Sequence, residues 1–171
     1  MKLIIQIPCF NEADTIASVV ADLPREIPGI DVIEYLVIDD GSTDATIEAA
    51  RECGVHHIFE LGSNRGLAFA FTRGIERCLE LGADIIVNTD GDNQYDGRDI
   101  PALVEPILAQ RLDVVVGARP IDEIEHFSWL KKKLQRVGSG VVRQLSSTDV
   151  RDTTSGFRAY SAEAAMRLYV F

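Results

Sequence analysis

The sequence has few of the features that mark a secreted, membrane-spanning or metal-caged protein. Its three cysteines, Cys9, Cys53 and Cys78, are odd in number and lack C-x-x-C spacing, so we interpret them as free thiols. No segment approaches the roughly 18 uninterrupted apolar residues of a membrane span, and the N-terminal apolar run is too short for a signal peptide. We therefore expect the chain to work in the cytoplasm.

Basic residues are also scarce. The 171 residues include 17 Lys and Arg against 27 Asp and Glu, a formal net charge of -10, which argues against nucleic acid as a partner. A hydrophobic fraction of 46% and a charged fraction of 26% exclude disordered and fibrous proteins.

The length suits one domain over 1–171. A helical pattern is still running at Phe171 without Gly or Pro to end it, so we expect the domain to be cut short there.

Short β-branched runs alternate with segments of helical period, which predicts an α/β domain with a mainly parallel sheet. We expect Asn11 to cap a helix that runs to Leu23, and Thr43 to cap a helix that ends before Gly54. Further helices are predicted from Leu67, closed by Gly82, then after Pro101, and over about 129–145. The predicted strands are 3–8, 33–39, 57–61, 85–90 and 113–118.

The loops at the carboxyl ends of these strands carry many of the acidic residues. In open parallel sheets, ligands bind at that edge, where loops and helix N-termini collect. Carboxylates gathered on one edge repel each other, so the pattern predicts a bound cation. The acids concerned are Glu12, Asp14, Asp39, Asp40, Asp44, Asp90, Asp92 and Asp96.

The most informative segment is Asp90-Gly91-Asp92, which follows the buried run 85–87. An extended backbone points both carboxylates to one side, and Gly91 lets another group approach the backbone closely. Hard oxygen ligands suit Mg²⁺ or Mn²⁺, and a site with so few carboxylates leaves coordination positions for substrate phosphates. The alternative is a solvated Asp-Gly turn, but the buried strand before it favours the metal site.

Two further loops supply candidate ligand contacts. Asp39 and Asp40 end a strand before a Gly turn, so one carboxylate can face a ligand while the other supports the turn. Phe10 offers an aromatic face for stacking, and Glu12 offers an acceptor for sugar hydroxyls. The alternatives are a turn without a functional role and a core position for Phe10.

In order and spacing, six segments resemble the nucleotide-sugar-dependent glycosyltransferases of family 2, and within them the polyprenyl-phosphate transferases similar to dolichyl-phosphate mannose synthase. The resemblance covers nearly the whole chain. The segments are Ile7-Pro8-Cys9-Phe10-Asn11-Glu12, Asp39-Asp40-Gly41-Ser42-Thr43-Asp44, Asn64-Arg65-Gly66, Asp90-Gly91-Asp92-Asn93-Gln94, Val116-Gly117-Ala118-Arg119 and Thr154-Ser155-Gly156-Phe157-Arg158.

The resemblance implies a GT-A fold, which is Rossmann-like with a mainly parallel central sheet, and a Mg²⁺ or Mn²⁺ ion held by Asp90, Asp92 and Gln94. After the second Asp the family often has Leu-Gln-His-Pro-Pro, whereas this chain has Asn93-Gln94-Tyr95-Asp96-Gly97, which leaves the sugar preference open. The residues implied to bind the nucleotide sugar are Pro8, Phe10, Glu12, Val37, Asp39, Asp90, Gly91, Asp92 and Arg119.

The implied reaction is inverting transfer of a sugar from a GDP- or UDP-sugar to dolichyl or undecaprenyl phosphate, or to another glycan or lipid acceptor. A metal that bridges the phosphates stabilises the departing diphosphate. A lipid phosphate is ionised at neutral pH and requires no strong base, whereas a hydroxyl acceptor requires one, and Asp152 is the candidate. The predicted catalytic residues are therefore Asp92, Asp152 and Arg158.

A basic segment fits a phosphate acceptor. Arg158 follows the tight Ser155-Gly156-Phe157 sequence, a pattern that predicts an anion pocket. The basic residues before it would face anionic head groups, so we expect peripheral association with the cytoplasmic membrane face; a solvated helix face is the alternative. These residues are Lys131, Lys132, Lys133, Arg136, Arg143 and Arg151.

Three other functions are alternatives. A phospho-receiver signalling domain would need a Lys about where Arg119 stands, and it has no use for the Asp90-Gly91-Asp92 segment. A dinucleotide-binding dehydrogenase would need G-x-G-x-x-G in its first turn, which is absent. A nucleotide-binding module without transferase activity would bind nucleotide with Mn²⁺ but transfer no sugar.

Overall fold

The computed structural model describes residues 1–118 and 155–168, and these build a single six-stranded sheet with helices on both faces. The sheet order is β3-β2-β1-β4-β6-β5. The strands are β1 Lys2–Cys9, β2 Val32–Asp39, β3 His57–Glu60, β4 Ile85–Asn88, β5 Val114–Val116 and β6 Arg158–Ser161. The helices are α1 Ile16–Asp22, α2 Thr46–Glu52, α3 Leu67–Glu80, α4 Ile100–Leu108 and α5 Ala162–Met166, with a 3₁₀ turn at Gly97–Asp99.

The predicted α/β class and mainly parallel sheet are confirmed. β1 pairs in parallel with β2 and with β4, and β2 pairs in parallel with β3. All five predicted strands are present, but β4 ends at Asn88, so Asp90 lies in the following loop. β6 was not predicted: it lies antiparallel between β4 and β5, and Arg158 is its first residue.

Two predicted helix caps are wrong. α1 begins at Ile16 rather than after Asn11, because Asn11 adopts a left-handed conformation with φ 58° and its Oδ1 accepts the Thr43 N–H at 2.8 Å. That contact also occupies Thr43, and α2 begins three residues later, at Thr46. Asn11 and Thr43 therefore join two loops instead of starting helices. The predicted helix over 129–145 lies outside the described residues.

The core has one layer on each face of the sheet. Leu3, Ile5 and Ile7 of β1 pack with α1, α2 and α4, whereas Ile4 points to the other face and packs with α3 and α5. This alternation follows from the two-residue period of a strand. A strand covered on both faces has a nearly continuous apolar sequence, as β1 has.

Gln6 interrupts the apolar sequence of β1 and is fully buried. Its Nε2 donates to Asn88 Oδ1 at 2.9 Å, so the buried amide is paired as buried polar groups must be. Gly74 of α3 provides the space for it, because a Cβ at position 74 would overlap Gln6 Oε1 and lie 2.8 Å from Cδ1 of Ile38. Helix α3 can therefore pack on this polar pair only with glycine at position 74.

We expect Gly74→Ala to lower the free energy of unfolding by about 2 kcal/mol, because the added methyl group overpacks a filled interior. Urea unfolding followed by circular dichroism measures the change. The matched control is Thr72→Ala on the same helix, for which we expect a change within about 0.5 kcal/mol. Equal stability of the two variants would contradict the packing described for Gly74.

Candidate functional site

The main candidate site is a cleft of about 320 Å³ at the carboxyl ends of β1, β2 and β4. This is where an open parallel sheet places ligands, since three loops and the N-terminus of α3 meet there. The cleft is lined by Pro8, Cys9, Phe10, Glu12, Asp40, Asn64, Gly66, Leu67, Ala70, Asp90, Gly91 and Asp92.

Six of the residues predicted to bind a nucleotide sugar line this one cleft: Pro8, Phe10, Glu12, Asp90, Gly91 and Asp92. Val37 does not, because it is fully buried in the core within β2. Arg119 and Asp152 lie outside the described residues. The ligand roles of all these residues remain predictions.

The loops after β1 and β4 are packed tightly together. A Cβ at position 91 would lie 3.0 Å from Cys9 Sγ and 3.3 Å from Glu12 Cγ, so glycine allows this approach. The Thr15 hydroxyl lies 2.7 Å from the Gly91 carbonyl oxygen and 2.8 Å from Glu12 Oε2. These contacts orient the Glu12 carboxylate within the cleft wall, while the ring of Phe10 stays 43% exposed at its mouth.

Cys9 lies in the wall of the cleft but is only 3% exposed. Burial, with a smaller contribution from the neighbouring Glu12, raises the pKa of the Cys9 thiol far above its ordinary value. The thiol is therefore neutral at physiological pH and is not an activated nucleophile.

Asp39 and Asp40 both support loops. Asp39 is 2% exposed and accepts the N–H groups of Gly41 and Ser42 at 3.1 Å, and its contact with the nucleotide sugar remains a prediction. The carboxylate of Asp40 accepts the N–H groups of Arg65 and Gly66, both at 2.8 Å.

The start of α3 lines the cleft, and it follows Asn64-Arg65-Gly66, one of the six segments singled out in the sequence. Asp40 ties this segment to the end of β2, which brings Asn64 and Leu67 into the lining of the cleft. No local sequence pattern shows this contact, because Asp40 and Arg65 are 25 positions apart. The Asp40 carboxylate accepts two N–H groups just before α3. Its negative charge therefore occupies the place where the N-terminus of this helix could otherwise bind a phosphate.

The loop after β4 presents the two predicted metal carboxylates. Asp92 is exposed, and its Oδ1 and Oδ2 accept the backbone N–H and the side-chain Nε2 of Gln94 at 3.2 and 2.6 Å. Gln94 thus lies directly beside Asp92, and its contact with a metal ion remains a prediction. Asp90 and Asp92 both face the cleft although β4 ends at Asn88.

The donor set fits a hard divalent cation. Two carboxylates with a neighbouring amide suit Mg²⁺ or Mn²⁺, which keep positions for water and phosphate oxygens. Within 1–118 and 155–168, no group of three or more His, Cys, Asp or Glu side chains is placed to bind a metal. An ion bound here by these residues would therefore share its coordination with a ligand or water.

Arg158 stands apart from this lining. It begins β6 opposite Asn88, and its Nε donates to the Ser155 carbonyl oxygen at 2.7 Å, which closes the tight turn predicted from the sequence. Its role at an anion pocket remains a prediction. In the described part of the chain, no helix is both long enough and apolar enough to cross a bilayer.

The chain is similar in sequence to known glycosyltransferases. The chain is 33% identical over 161 residues to glycosyltransferase AglJ of Haloferax volcanii, covering 92% of this chain and 49% of that protein. It is 29% identical over 170 residues to undecaprenyl-phosphate mannosyltransferase of Micrococcus luteus, covering 95% of this chain and 68% of that protein.

The fold is shared with a crystal structure of glucosyl-3-phosphoglycerate synthase from Mycobacterium tuberculosis in complex with Mn²⁺, uridine diphosphate and phosphoglyceric acid. The TM-score is 0.73 at 22% identity, covering 95% of this chain and 56% of that one, so this chain has the GT-A fold. The family model described as Glycosyl transferase family 2 matches residues 4–169. Because that match spans nearly the whole sequence, the chain belongs to glycosyl transferase family 2.

Proposed function

We propose that this chain is the nucleotide-sugar-binding part of a metal-dependent, inverting glycosyltransferase that transfers a sugar from a nucleotide-diphosphate sugar to a polyprenyl phosphate. The negative charge of the cleft is the observation that supports this proposal. Its lining contains four carboxylates, from Glu12, Asp40, Asp90 and Asp92, and no Lys or Arg among the described residues. A diphosphate entering such a cleft requires a cation.

Asp90 and Asp92 would hold this cation, with Gln94 beside them. When bound, a divalent ion neutralises the negative charge that develops on the departing nucleoside diphosphate. The chain's own contribution is to fix the two carboxylates on one wall of the cleft. Mg²⁺ and Mn²⁺ both suit these oxygen donors.

Other residues of the cleft are suited to a nucleoside. Phe10 and Leu67 are 43% and 66% exposed at its mouth, and they offer apolar surface to a planar base. Glu12, oriented by Thr15, offers acceptor oxygens to hydroxyl groups of the ligand. The volume of about 320 Å³ lies at the lower end of ligand pockets, which span about 300–1,000 Å³.

The polyprenyl-phosphate acceptor is inferred from relatives such as the mannosyltransferase of Micrococcus luteus. A phosphate monoester has a second pKa of about 6, so it is a nucleophile at neutral pH without a general base. Arg158 is the proposed contact for the acceptor phosphate, and Asp152 would be required as a base only for a hydroxyl acceptor.

The lipid acceptor implies that the reaction takes place at a membrane surface, on the cytoplasmic side where nucleotide sugars are available. The chain spans 49% of AglJ and 68% of the mannosyltransferase.

A module that binds nucleotide without transferring sugar is the competing function. Transfer of sugar to polyprenyl phosphate in the presence of Mn²⁺ distinguishes the two functions.

We expect Asp92→Ala to abolish sugar transfer and to remove the effect of Mn²⁺ on nucleotide binding. The unmodified chain should bind uridine or guanosine diphosphate at least about tenfold more tightly with Mn²⁺ than without, because the ion relieves repulsion from the cleft. Calorimetric titration of both nucleotides, with and without Mn²⁺, measures this difference.

Asp99→Ala is the matched control for Asp92→Ala, because Asp99 is an exposed acid of the same region that does not line the cleft. This variant should keep the metal effect. Tight nucleotide binding by the unmodified chain that ignores Mn²⁺ would refute the proposed role of the two carboxylates.

We expect Phe10→Ala to weaken nucleotide-diphosphate binding about tenfold, because stacking of a base on an aromatic ring contributes about 1–3 kcal/mol. The loss should be similar with and without Mn²⁺, since Phe10 contacts the base rather than the ion. Phe69→Ala is the control: its ring is 36% exposed beneath the guanidinium of Arg65 and lies outside the lining. If both variants change nucleotide-diphosphate affinity equally, Phe10 does not stack on the base.

A further inference from the structure

Tyr95 lies in the segment that departs from the family pattern, and the proposed function does not use it. It follows Asp92 by three residues in the loop after β4. Its ring stacks on Phe157, with centroids 5.0 Å apart and planes 14° from parallel, and Phe157 is 4% exposed. A ring stacked on a buried partner has a fixed direction. The packing therefore brings the Tyr95 hydroxyl group to residues 155–157, the turn that precedes β6.

The Tyr95 hydroxyl group contacts the backbone of this turn. Its oxygen accepts the Gly156 N–H at 2.9 Å and lies 3.4 Å from Ser155 Oγ. Ser155 is 1% exposed, and its Oγ accepts the Phe157 N–H at 3.2 Å. From the other side, the Gly156 carbonyl oxygen accepts Nδ2 of Asn88 at 2.8 Å. Strand β4 and the loop that follows it therefore hold the turn from two directions.

The same turn makes the contact that orients Arg158. The Ser155 carbonyl oxygen accepts Nε of Arg158 at 2.7 Å, and Arg158 pairs opposite Asn88, the last residue of β4. The guanidinium also lies near Tyr160: burial raises the pKa of Tyr160, and the charge of Arg158 opposes this rise. Because a guanidinium is planar, a hydrogen bond at Nε fixes the direction of its terminal nitrogens. The turn therefore helps to set the direction of the Arg158 side chain.

We propose that Tyr95 is a positioning residue for the acceptor: through the turn 155–157, it orients Arg158 toward the acceptor phosphate. The inference rests on the proposed function, in which Arg158 contacts that phosphate. Tyr95 does not line the cleft, so it acts through Arg158 rather than on the nucleotide. Recognition of a phosphate by arginine depends on the direction of the planar group as well as on its charge. Loss of the Tyr95 hydroxyl group therefore weakens acceptor binding while the charge of Arg158 remains.

This support matters because sugar transfer requires both substrates at a fixed separation. The reacting atoms must approach to about 3–3.5 Å, and a displacement of about 1 Å can lower the rate about 100-fold. Asp92, the proposed metal ligand, and Tyr95 belong to one short loop. That loop therefore sets the place of the acceptor phosphate relative to the donor.

The first test is Tyr95→Phe, which keeps the ring on Phe157 and removes the acceptor of the Gly156 N–H. We expect the affinity for farnesyl phosphate, a short isoprenyl phosphate, to fall about 3- to 10-fold, because one hydrogen bond that holds the turn is lost. Equilibrium dialysis with saturating Mn²⁺ and nucleotide diphosphate measures this change. The affinity for the nucleotide diphosphate in the presence of Mn²⁺, measured by calorimetry, should stay unchanged.

Tyr35→Phe is the matched control. It removes a buried hydroxyl group that donates to the Pro24 carbonyl oxygen at 3.0 Å, outside the cleft. This variant should leave both affinities unchanged. Thermal unfolding of the two variants shows whether Tyr95→Phe loses more stability than the control.

The second test combines Tyr95→Phe with Arg158→Lys. Lysine keeps a positive charge but has no planar group for the Ser155 carbonyl oxygen to orient. Arg158→Lys alone should weaken the binding of farnesyl phosphate. In that background, Tyr95→Phe should cause a further loss of less than about twofold, because two residues that act through one contact are not additive. A further loss as large as in the unmodified chain would overturn the inference.

The inference is also overturned if Tyr95→Phe binds farnesyl phosphate as tightly as the unmodified chain, or if it weakens nucleotide binding to the same extent. If Arg158→Ala loses acceptor affinity in those cases, the proposed function stands without the inference. Failure of the proposed function gives a different result: farnesyl phosphate would not bind the unmodified chain, or it would bind Arg158→Ala equally well. The role of Arg158 and this inference would then fall together.

Discussion

The site depends on the pairing of β1 between β2 and β4. Parallel pairing in register brings Cys9 level with Asp39 on one side and Gln6 level with Asn88 on the other. The three loops therefore leave the sheet at the same edge, and each can reach its neighbours. Thr15 and Gly91 are 76 positions apart in sequence, and they come within hydrogen-bond distance only because of this pairing.

The acidic residues at this edge divide into two groups. Asp39, Asp40 and Asp44 accept backbone N–H groups and hold the loops together. The hydrogen bond from the Thr46 hydroxyl is the main reason why the pKa of Asp44 lies below its ordinary value, which keeps this carboxylate ionised. Asp90 and Asp92, the predicted metal ligands, form the second group; Asp40 also lines the cleft, but its carboxylate is occupied by two backbone N–H groups. The first group builds a rigid frame, and its charge adds to the field that makes the second group attractive to a cation.

Local patterns predicted this frame well where one residue type decides the structure. Buried β-branched runs identified the strands, and Gly82 marks the end of α3 with a φ of 78°. The pair Asp90 and Asp92 was recognisable because a short-range motif carries it. The predictions failed where a residue's partner lies far along the chain: Asn11 and Thr43 were expected to cap helices, but they contact each other across 32 residues.

The same limit explains why β6 and the role of Asp40 were missed. The sequence of β6, Arg158–Ser161, shows no apolar run: β4 and β5 pair with its backbone, and the core layers on the two faces of the sheet bury Ala159 and Tyr160. In the sequence Asp40 is equivalent to Asp39, and only the contacts of its carboxylate with the N–H groups of Arg65 and Gly66 distinguish it. Tertiary contacts, rather than local preference, determine that Asp40, and not the adjacent Asp39, lines the cleft.

The two acids of the cleft differ in their surroundings. Asp92 is exposed, and its two oxygens accept hydrogen bonds from the neighbouring Gln94. Asp90 lies beside Gly156, whose backbone is held by Asn88 and Tyr95. The antiparallel strand β6 is what makes this second neighbourhood possible. Because β6 pairs with β4, it returns the segment 155–157 to the end of β4 and so brings a late part of the chain to the loop that carries both acids.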